Sequence, residues 1–456
     1  MQRAKALRIS PVGVRGIVGP GLTVTHALDF AAAFGTLLAT DGPVLLGRDP
    51  RSSGQMLRSA AISALLACGR DVIDLGIVST PVLQHAIRRL NAAGGISLGA
   101  SHNAAEWNAL KFLGPAGTYL ASSEAGELLD IYHLKKFAFV EWNQIGKLTY
   151  SADAIDTYLD DLARIFDFEK LRKFRVVVDC CNGTSSTILE RVRDRFNWPL
   201  ILINARLEGS AFAHEPETSA RMVGSQLGPL IQPLQADAGF LFDADADRIA
   251  CATSRGEALS EELILPLVAD GQLAKFPGRI VLTNLSTTAL VEDVAKKRGG
   301  EVIRVAVGRQ AAIDALSGFR PEQIAVAGEG TGAVMLPQFR FVYDGIAAML
   351  MILTIMADRG QALSEIVAGF PKFAMLKGEV PLKQMRIPQL YTELREAFGD
   401  EGRANTLDGL RVDWPDHWFH VRVSQTEPIV RVICEGRGEA PQALFDGLME
   451  QVRRLA

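Results

Sequence analysis

The chain has 456 residues, a length that predicts three or four domains of roughly 100 to 150 residues each. Its 48 basic and 52 acidic side chains give a net charge of −4, without the basic surplus typical of nucleic-acid or anionic-membrane partners. The five cysteines form no Cys-x-x-Cys pair, and the N-terminus has no apolar stretch typical of a signal peptide, so we expect a reduced, cytoplasmic protein.

Three segments repeat one pattern, in which a short strand rich in Leu or Val is followed by a polar loop and a helical period. They begin at Pro43, Phe174 and Gly278. A Ser or Thr before each predicted helix is a suitable N-cap. The recurrence predicts three α/β units built alike.

A polar loop, GASHNAAEWNALKF (99–112), follows an apolar run at 94–98 that predicts a buried strand. Its side chains include a hydroxyl nucleophile, two proton carriers and two amides that can hold them in place: Ser101, His102, Lys111, Asn103 and Asn108. Ser-His-Asn can also simply cap a helix. By itself, the loop therefore leaves a catalytic and a structural interpretation open.

The stretch FDADADRIA (242–250) places carboxylates at alternate positions, Asp243, Asp245 and Asp247. In an extended segment these side chains point to the same side, where they repel one another unless a cation lies among them. A set of oxygen ligands suits Mg²⁺. An EF-hand is excluded because Arg248 stands where that motif needs Gly. Apolar residues on both sides argue against a solvated acidic loop.

Two regions near the C-terminus have clear patterns. The most apolar segment, GIAAMLMILTIMA (345–357), is shorter than the roughly 20 residues that a membrane span needs and predicts a buried helix. The stretch HWFHVRVSQTEPIVRVICEG (417–436) alternates like two antiparallel strands around a polar turn, which predicts an α+β domain. The predicted domains are 1–150, 151–255, 256–370 and 371–456.

Further loops carry residues that suit a sugar or a phosphate. AGEGTGAV (327–334) places Glu329 and Thr331 among glycines, where they can bind a polyol, although a tight turn explains the stretch equally well. Arginines beside glycines or polar turns can grip phosphate, whereas a surface ion pair is the simpler interpretation for any one of them alone. These arginines are Arg15, Arg48, Arg51, Arg422 and Arg431.

Taken together and in this order, four loops resemble those of the α-D-phosphohexomutase family. The stretches ASHNAAEWNALKF, DADADR, GEGTG and RVSQTEPIVR are similar to the family's active-serine, metal, sugar and phosphate loops. The resemblance extends from Gly13 to Gly436. It implies an α/β fold of three similar domains with mixed sheets, plus a smaller C-terminal α+β domain.

The resemblance also implies a role for each matching residue. Ser101 is expected to carry a phosphoryl group, and one Mg²⁺ per chain is expected to bind its phosphate oxygen together with Asp243, Asp245 and Asp247. The expected catalytic residues around Ser101 are Lys111, Arg15, Arg248 and His102, of which His102 acts either directly or as a local hydrogen-bonding residue. The expected substrate-binding residues are Glu329 and Thr331 for sugar hydroxyls and Arg422, Ser424, Thr426 and Arg431 for the phosphate that does not react.

The implied enzyme is an isomerase that interconverts hexose 6-phosphate and hexose 1-phosphate through the phosphoserine and a hexose 1,6-bisphosphate, which is also its activator. The GEGTG and EWNALK forms are similar to the archaeal-type branch, in which phosphoglucosamine mutases and phosphomannomutase/phosphoglucomutases are hard to tell apart. We expect phosphoglucosamine mutase, with phosphomannomutase/phosphoglucomutase as the alternative. No motif reads the C2 position that distinguishes these sugars. The expected ligand is a hexose or hexosamine phosphate, and the expected assembly is a monomer or a homodimer.

Two other functions are left open by the residues alone. A metal-dependent phosphatase with a phosphoserine intermediate would use the same serine and aspartates, but it has no need of the sugar and phosphate loops. A non-catalytic sugar-phosphate-binding protein is favoured by departures from the commonest family pattern at Ala104, Ala109, Gln425 and Ala333. Retention of Ser101, Lys111 and the three aspartates argues against it.

Overall fold

The computed structural model describes residues 7–207, 212–382, 386–398, 401–424 and 428–455. The secondary structure of these residues forms four successive units, each built on its own β-sheet. Short 3₁₀ helices lie at Trp142–Gln144, Glu261–Leu263 and Pro321–Gln323.

The first unit is a mixed sheet covered by helices. Its strands are β1 (Arg8–Ser10), β2 (Gly13–Ile17), β3 (Val44–Arg48), β4 (Val72–Ile77), β5 (Gly94–Leu98), β6 (Trp107–Leu113) and β7 (Leu148–Tyr150). Its helices are α1 (Val24–Leu37), α2 (Gly54–Ala67), α3 (Thr80–Arg89) and α4 (Ser122–Leu134). The seven strands are ordered β1-β2-β6-β5-β3-β4-β7. The strand predicted at 94–98 is β5, and it is buried along its whole length.

The second unit is smaller. Its helices are α5 (Ala154–Ala163), α6 (Phe168–Leu171), α7 (Ser185–Arg195), α8 (Ala220–Gln226) and α9 (Gly228–Ile231). Its strands are β8 (Val176–Asp179), β9 (Ile201–Ile203), β10 (Ala238–Phe242) and β11 (Ile249–Thr253), in the order β11-β10-β8-β9. β10 is parallel to β8 and antiparallel to β11.

The third unit has the same arrangement. Its helices are α10 (Ile264–Lys275), α11 (Leu290–Lys297), α12 (Arg309–Leu316), α13 (Gly345–Arg359) and α14 (Leu363–Ala368). Its strands are β12 (Ile280–Asn284), β13 (Glu301–Val305), β14 (Ile324–Gly328) and β15 (Val334–Met335), in the order β13-β12-β14-β15.

The fourth unit is an antiparallel sheet with two helices. Its elements are β16 (Phe373–Pro381), α15 (Ile387–Phe398), β17 (Arg403–Asn405), β18 (Leu410–Asp413), β19 (His417–Val423), β20 (Ile429–Arg437) and α16 (Gln442–Leu455). The five strands are ordered β16-β20-β19-β18-β17. The predicted pair of antiparallel strands is β19 and β20, with Arg422 opposite Arg431.

One strand order recurs in the first three units. In each, the first strand of the repeat lies between the second and the third, and a fourth strand runs antiparallel beside the third: β4-β3-β5-β6, β9-β8-β10-β11 and β13-β12-β14-β15. The loop between the third and fourth strands therefore has the same place in every unit. These three loops carry Ser101, the aspartates and Glu329. The expected fold of three similar α/β domains and a smaller C-terminal domain is confirmed.

The helix caps predicted for the three repeats differ from the observed ones. Ser53 and Thr184 occupy the N-cap positions of α2 and α7, but neither side chain caps its helix. The Ser53 hydroxyl instead accepts a hydrogen bond from Asn108 Nδ2 at 2.9 Å, and Thr184 Oγ1 donates one to the Ala244 carbonyl at 3.0 Å. The Ser53 hydroxyl thus contacts β6, the strand that follows the Ser101 loop, and the Thr184 hydroxyl contacts the loop that follows β10.

The largest cluster of buried apolar side chains spans three of the four units, and smaller clusters lie within individual units. A continuous cluster of buried side chains joins the first three units, with α13 contributing many of its members, as predicted for 345–357. The C-terminal unit has a separate cluster around Leu390, Phe419 and Leu448. None of the helices in the described ranges is both long enough and apolar enough for a membrane-spanning segment.

Candidate active site

The aspartate loop lies between β10 and β11. The sequence analysis expected an extended segment, but residues 243–248 form a turn in which Ala246 has a left-handed φ of 57°. This turn still brings carboxylate oxygens of all three aspartates within 4.8 Å of one another. All three residues are buried. The predicted convergence is therefore present, although a turn produces it rather than the alternation of a strand.

Ser101 meets this loop from the first unit. It has a left-handed φ of 48° three residues after the end of β5, and its Oγ donates a hydrogen bond to Asp243 Oδ2 at 2.5 Å. Burial, together with the negative charges of Asp245 and Asp247, raises the pKa of Asp243 well above its usual value. A nearby cation would therefore stabilise the ionised form of Asp243.

Lys111 is the cation of the first unit that faces the aspartates. Its Nζ forms an ion pair with Asp245 Oδ2, and its side chain is almost buried. Burial, the largest single effect, disfavours the ammonium form, but the acidic neighbours Asp245, Tyr119 and Asp247 together outweigh it and raise the pKa of Lys111. Burial likewise opposes ionisation of Asp245, and Lys111 nevertheless holds the pKa of Asp245 below its usual value. The pair is therefore ionised at neutral pH.

Arg309 is a site residue that the sequence analysis missed. It begins α12 in the third unit, and its guanidinium donates to both carboxylate oxygens of Asp247, at 2.5 and 2.8 Å. It also donates to the Tyr119 hydroxyl at 2.8 Å. The sequence around it shows only an arginine after a glycine, in GRQ. Its partner, Asp247, lies 62 residues away, so no local pattern links the two residues. Each of the first three units thus contributes charged residues to one centre.

The aspartate loop has a donor set that fits a hard divalent cation. Asp245 Oδ1 is buried and has no hydrogen-bond partner within the described part of the chain. Three converging carboxylates, one with an unsatisfied buried oxygen and one with a strongly raised pKa, supply the oxygen ligands that Mg²⁺ prefers. Asp243, Asp245 and Asp247 are therefore the residues that could hold the metal.

A small cavity of about 130 Å³ opens beside Ser101. His102 lies at its rim, where its Nδ1 accepts a hydrogen bond from Arg248 Nη1 at 2.9 Å. Desolvation, followed by the charges of Arg248 and Arg15, lowers the pKa of His102 and keeps the ring neutral. The cavity suits an anionic group, because its charged and polar lining includes Arg15, Ser101, His102, Lys111, Arg248 and Arg309.

Arg51 has a different role from the phosphate grip that the sequence allowed. It is 1% exposed, and its guanidinium donates to backbone carbonyls of the serine loop. The accepting residues are Ser101 (3.0 Å), Asn103 (2.7 Å), Ala104 (2.5 Å) and Trp107 (3.2 Å). Asp49 holds Arg51 Nε at 2.8 Å. Arg51 is therefore a buried support for the backbone conformation that presents Ser101.

The sugar loop connects with the same centre. Glu329 is buried and accepts a hydrogen bond from the Tyr343 hydroxyl at 3.0 Å, while the Arg309 guanidinium lies 5.0 Å from the Tyr343 ring centroid. The Thr331 side chain is exposed, and its carbonyl accepts a bond from Thr218 Oγ1 at 3.4 Å. The loop thus has one buried carboxylate and one exposed hydroxyl.

The predicted phosphate-binding residues lie in the C-terminal sheet. Arg422 is 5% exposed and Ser424 is 9% exposed, whereas Arg431 is more open and pairs with Glu379 at 3.0 Å. Thr426 lies outside the described residues. Arg422 and Arg431 stand opposite each other on neighbouring antiparallel strands, so their side chains share one face of the sheet. We call Arg422, Ser424 and Arg431 the distal cluster.

The chain was compared with families and proteins of known identity. It matches the phosphoglucomutase/phosphomannomutase alpha/beta/alpha domains I, II and III over residues 10–138, 156–256 and 262–373. The chain belongs to this family. The match confirms the resemblance to the α-D-phosphohexomutases that the four loops indicated.

Curated relatives span almost the whole chain. A phosphoglucomutase/phosphomannomutase of Thermococcus kodakarensis is 34% identical over 435 residues, which are 94% of either chain. A probable phosphoglucosamine mutase of the same organism is 32% identical over 448 residues, or 97% of either chain. Both names agree with the expected class of mutases.

A solved structure shares the fold. It is that of a phosphoglucomutase/phosphomannomutase family protein from Burkholderia thailandensis, with a TM-score of 0.83 and 23% identity. The alignment covers 98% of this chain and 97% of that one. The four-unit architecture is therefore that of a known phosphohexomutase-family fold.

The support provided by Arg51 generates a first prediction. Arg51→Lys should lower turnover by about tenfold to a hundredfold, because one ammonium cannot replace the planar set of donors that fixes the Ser101 loop. Steady-state kinetics would measure the change. Arg193→Lys is the matched control, since Arg193 is an exposed arginine paired with its neighbour Asp194. Equal turnover of the two variants would contradict the role of Arg51.

Proposed function

We propose that the chain is a phosphohexomutase that interconverts hexose 6-phosphate and hexose 1-phosphate through a phosphoserine at Ser101. The observation that carries the proposal is the 2.5 Å hydrogen bond from Ser101 Oγ to Asp243 Oδ2, which places a hydroxyl at a buried carboxylate centre. The names of the relatives support the same reaction class. The reaction makes the enzyme an isomerase.

We propose Mg²⁺ as the cofactor, one ion per chain, bound by Asp243, Asp245, Asp247 and an oxygen of phosphorylated Ser101. When bound there, the ion would withdraw charge from the phosphoryl oxygens during transfer. The unsatisfied Asp245 Oδ1 and the raised pKa of Asp243 support this assignment.

The residues of the chain then have distinct tasks. Arg15 and Arg248 offset the charge of the transferring phosphoryl group, and His102 positions Arg248 through its Nδ1. Because its raised pKa keeps Lys111 protonated, Lys111 donates a hydrogen bond to the oxygen that leaves rather than acting as a base. The bond from phosphorus to Ser101 Oγ breaks as a sugar hydroxyl attacks in line on the opposite side of phosphorus, and the proton that this hydroxyl loses balances the proton that Ser101 Oγ gains.

The remaining loops bind the sugar and its second phosphate. Glu329 and Thr331 offer a carboxylate and a hydroxyl to the sugar, and the distal cluster, together with Thr426, offers donors to the phosphate that does not react. The bisphosphate must turn over between the two transfers, so an anion site separate from the metal is required. The four proposed domains are 1–150, 151–255, 256–370 and 371–456. Each would contribute one loop to the site: the serine, metal, sugar and phosphate loops, in that order.

We propose phosphoglucosamine mutase as the activity, with phosphomannomutase/phosphoglucomutase as the second candidate. Relatives of both names support one or the other, since they align over 94% and 97% of the chain. Comparing kcat/KM for glucosamine, glucose and mannose phosphates decides between them. We further propose that the enzyme works as a monomer or homodimer in the cytoplasm, where its five buried free cysteines would remain reduced.

The proposed phosphoserine is tested by Ser101→Ala. Loss of the hydroxyl should lower mutase turnover at least about a thousandfold while the protein stays folded, because it removes the oxygen that carries the phosphoryl group in the proposed mechanism. A coupled assay for interconversion, run beside an assay for free phosphate, separates a mutase from a phosphatase. Ser63→Ala, at an exposed serine of α2, is the control. Turnover near the wild-type value in Ser101→Ala would remove Ser101 from the mechanism.

The distal cluster is tested by Arg431→Ala. Arg431 would attract the non-reacting phosphate equally in the ground state and during transfer, so loss of its guanidinium should mainly raise KM. The bisphosphate should also escape more often before its second transfer, and the variant should need more added glucose 1,6-bisphosphate for full activity. The rate is measured against bisphosphate concentration.

Arg454→Ala serves as the control for Arg431→Ala, because Arg454 is an exposed, ion-paired arginine of the same domain. The control should behave like the wild type. If Arg431→Ala shows the same bisphosphate requirement and the same KM as this control, Arg431 does not belong to the phosphate site.

A further inference from the structure

Asp408 joins the distal cluster to the third unit. It lies in the turn between β17 and β18, and its side chain is 16% exposed. A single oxygen, Oδ2, accepts hydrogen bonds from Arg422 Nε at 2.9 Å and from the backbone N–H of Val307 at 3.0 Å. The carboxylate therefore ties an arginine of the C-terminal domain to the backbone of its neighbour.

The position of this turn is fixed by buried polar contacts. His420 is fully buried, and its Nε2 donates to the Asp408 carbonyl at 2.6 Å, so its Nδ1 accepts from Ser286 Oγ at 2.9 Å. Gly409 has a φ of +80°, and a Cβ there would lie 2.4 Å from the Val421 carbonyl. The backbone at Asp408 is thus held against both β19 and the third unit.

Val307 leads directly to the metal loop. Two residues after it, Arg309 begins α12 and binds both carboxylate oxygens of Asp247. Bonded contacts therefore run from Arg422 through Asp408 and the segment 307–309 to Asp247. The two ends of this path are the parts of the site assigned to the two phosphates of a bisphosphate.

We propose that Asp408 is a positioning residue that sets where the distal cluster stands relative to the metal loop, an inference that rests on the proposed function. Its carboxylate orients the Arg422 guanidinium by a charge-assisted hydrogen bond. The same oxygen anchors that guanidinium to the segment that holds Asp247. Among the described residues, the Asp408 carboxylate is bonded to Arg422 and Val307 and not to the three aspartates of the metal loop.

The test measures binding without turnover. In the Ser101→Ala background, calorimetry gives the Kd of glucose 1,6-bisphosphate. Asp408→Ala should raise this Kd about tenfold, as loss of a partner that orients a binding residue commonly does. Asp408→Asn should raise it only about threefold, because the amide oxygen still accepts both hydrogen bonds but lacks the charge.

Two further variants separate positioning from a general loss of stability. Asp408→Ala combined with Arg422→Ala should bind the bisphosphate within about twofold of Arg422→Ala alone, because the two residues act as one unit. Glu393→Ala is the matched control, since Glu393 pairs with Arg454 and Gln451 inside the same domain. This control should leave Kd unchanged. Amide hydrogen exchange at Val307 should accelerate in Asp408→Ala and not in the control.

The outcomes distinguish this inference from the proposed function. The positioning role is overturned if Asp408→Ala binds the bisphosphate with the same Kd as Glu393→Ala. It is also overturned if the double variant raises Kd by the product of the fold-changes of Asp408→Ala and Arg422→Ala. If the wild type shows no mutase activity but Asp408→Ala still weakens bisphosphate binding as stated, the proposed function fails and the positioning role stands. If the parent Ser101→Ala protein binds no bisphosphate, both are overturned.

Discussion

The buried carboxylates of Asp243, Asp245 and Asp247 repel one another, and the neighbouring units supply the charges that offset this repulsion. Lys111, in the first unit, pairs with Asp245, and Arg309, in the third unit, pairs with Asp247. The pKa of Asp243 is nevertheless strongly raised, and Asp243 is the carboxylate that accepts a hydrogen bond from the Ser101 hydroxyl. The electrostatic requirement of one loop therefore brings three domains together at the place where the phosphoryl group would be transferred.

A repeated topology makes this convergence possible. The serine, aspartate and sugar loops each connect the third strand of a repeat to its antiparallel fourth strand, so three copies of one fold present three different loops in equivalent positions. A continuous apolar core holds these copies together. The C-terminal unit has its own core and is joined to the third unit by polar contacts, among them those of Asp408 and His420. This division suits a clamp for the second phosphate.

The sequence predicted the elements whose signals are local. The pattern of apolar and polar residues predicted β5, α13 and the antiparallel pair β19 and β20, and the spacing of the aspartates predicted a cation site. It did not predict Arg309 or the structural role of Arg51, because their partners lie far along the chain and only the tertiary fold brings them together. The extended geometry expected for the aspartates was also wrong. Ala246 closes their turn with a left-handed φ, and an alanine in a sequence does not indicate that conformation as a glycine or an asparagine would.

The central claim is that the three aspartates and Ser101 form one metal and phosphoryl centre. Crystals soaked in Mn²⁺, an ion that takes the same oxygen ligands as Mg²⁺, test it most directly through anomalous diffraction. The account predicts one Mn²⁺ per chain, bound by carboxylate oxygens of Asp243, Asp245 and Asp247 and adjacent to Ser101 Oγ or its phosphate. The account would be contradicted if the ion bound elsewhere, or if these carboxylates stayed without metal at a Mn²⁺ concentration that supports turnover.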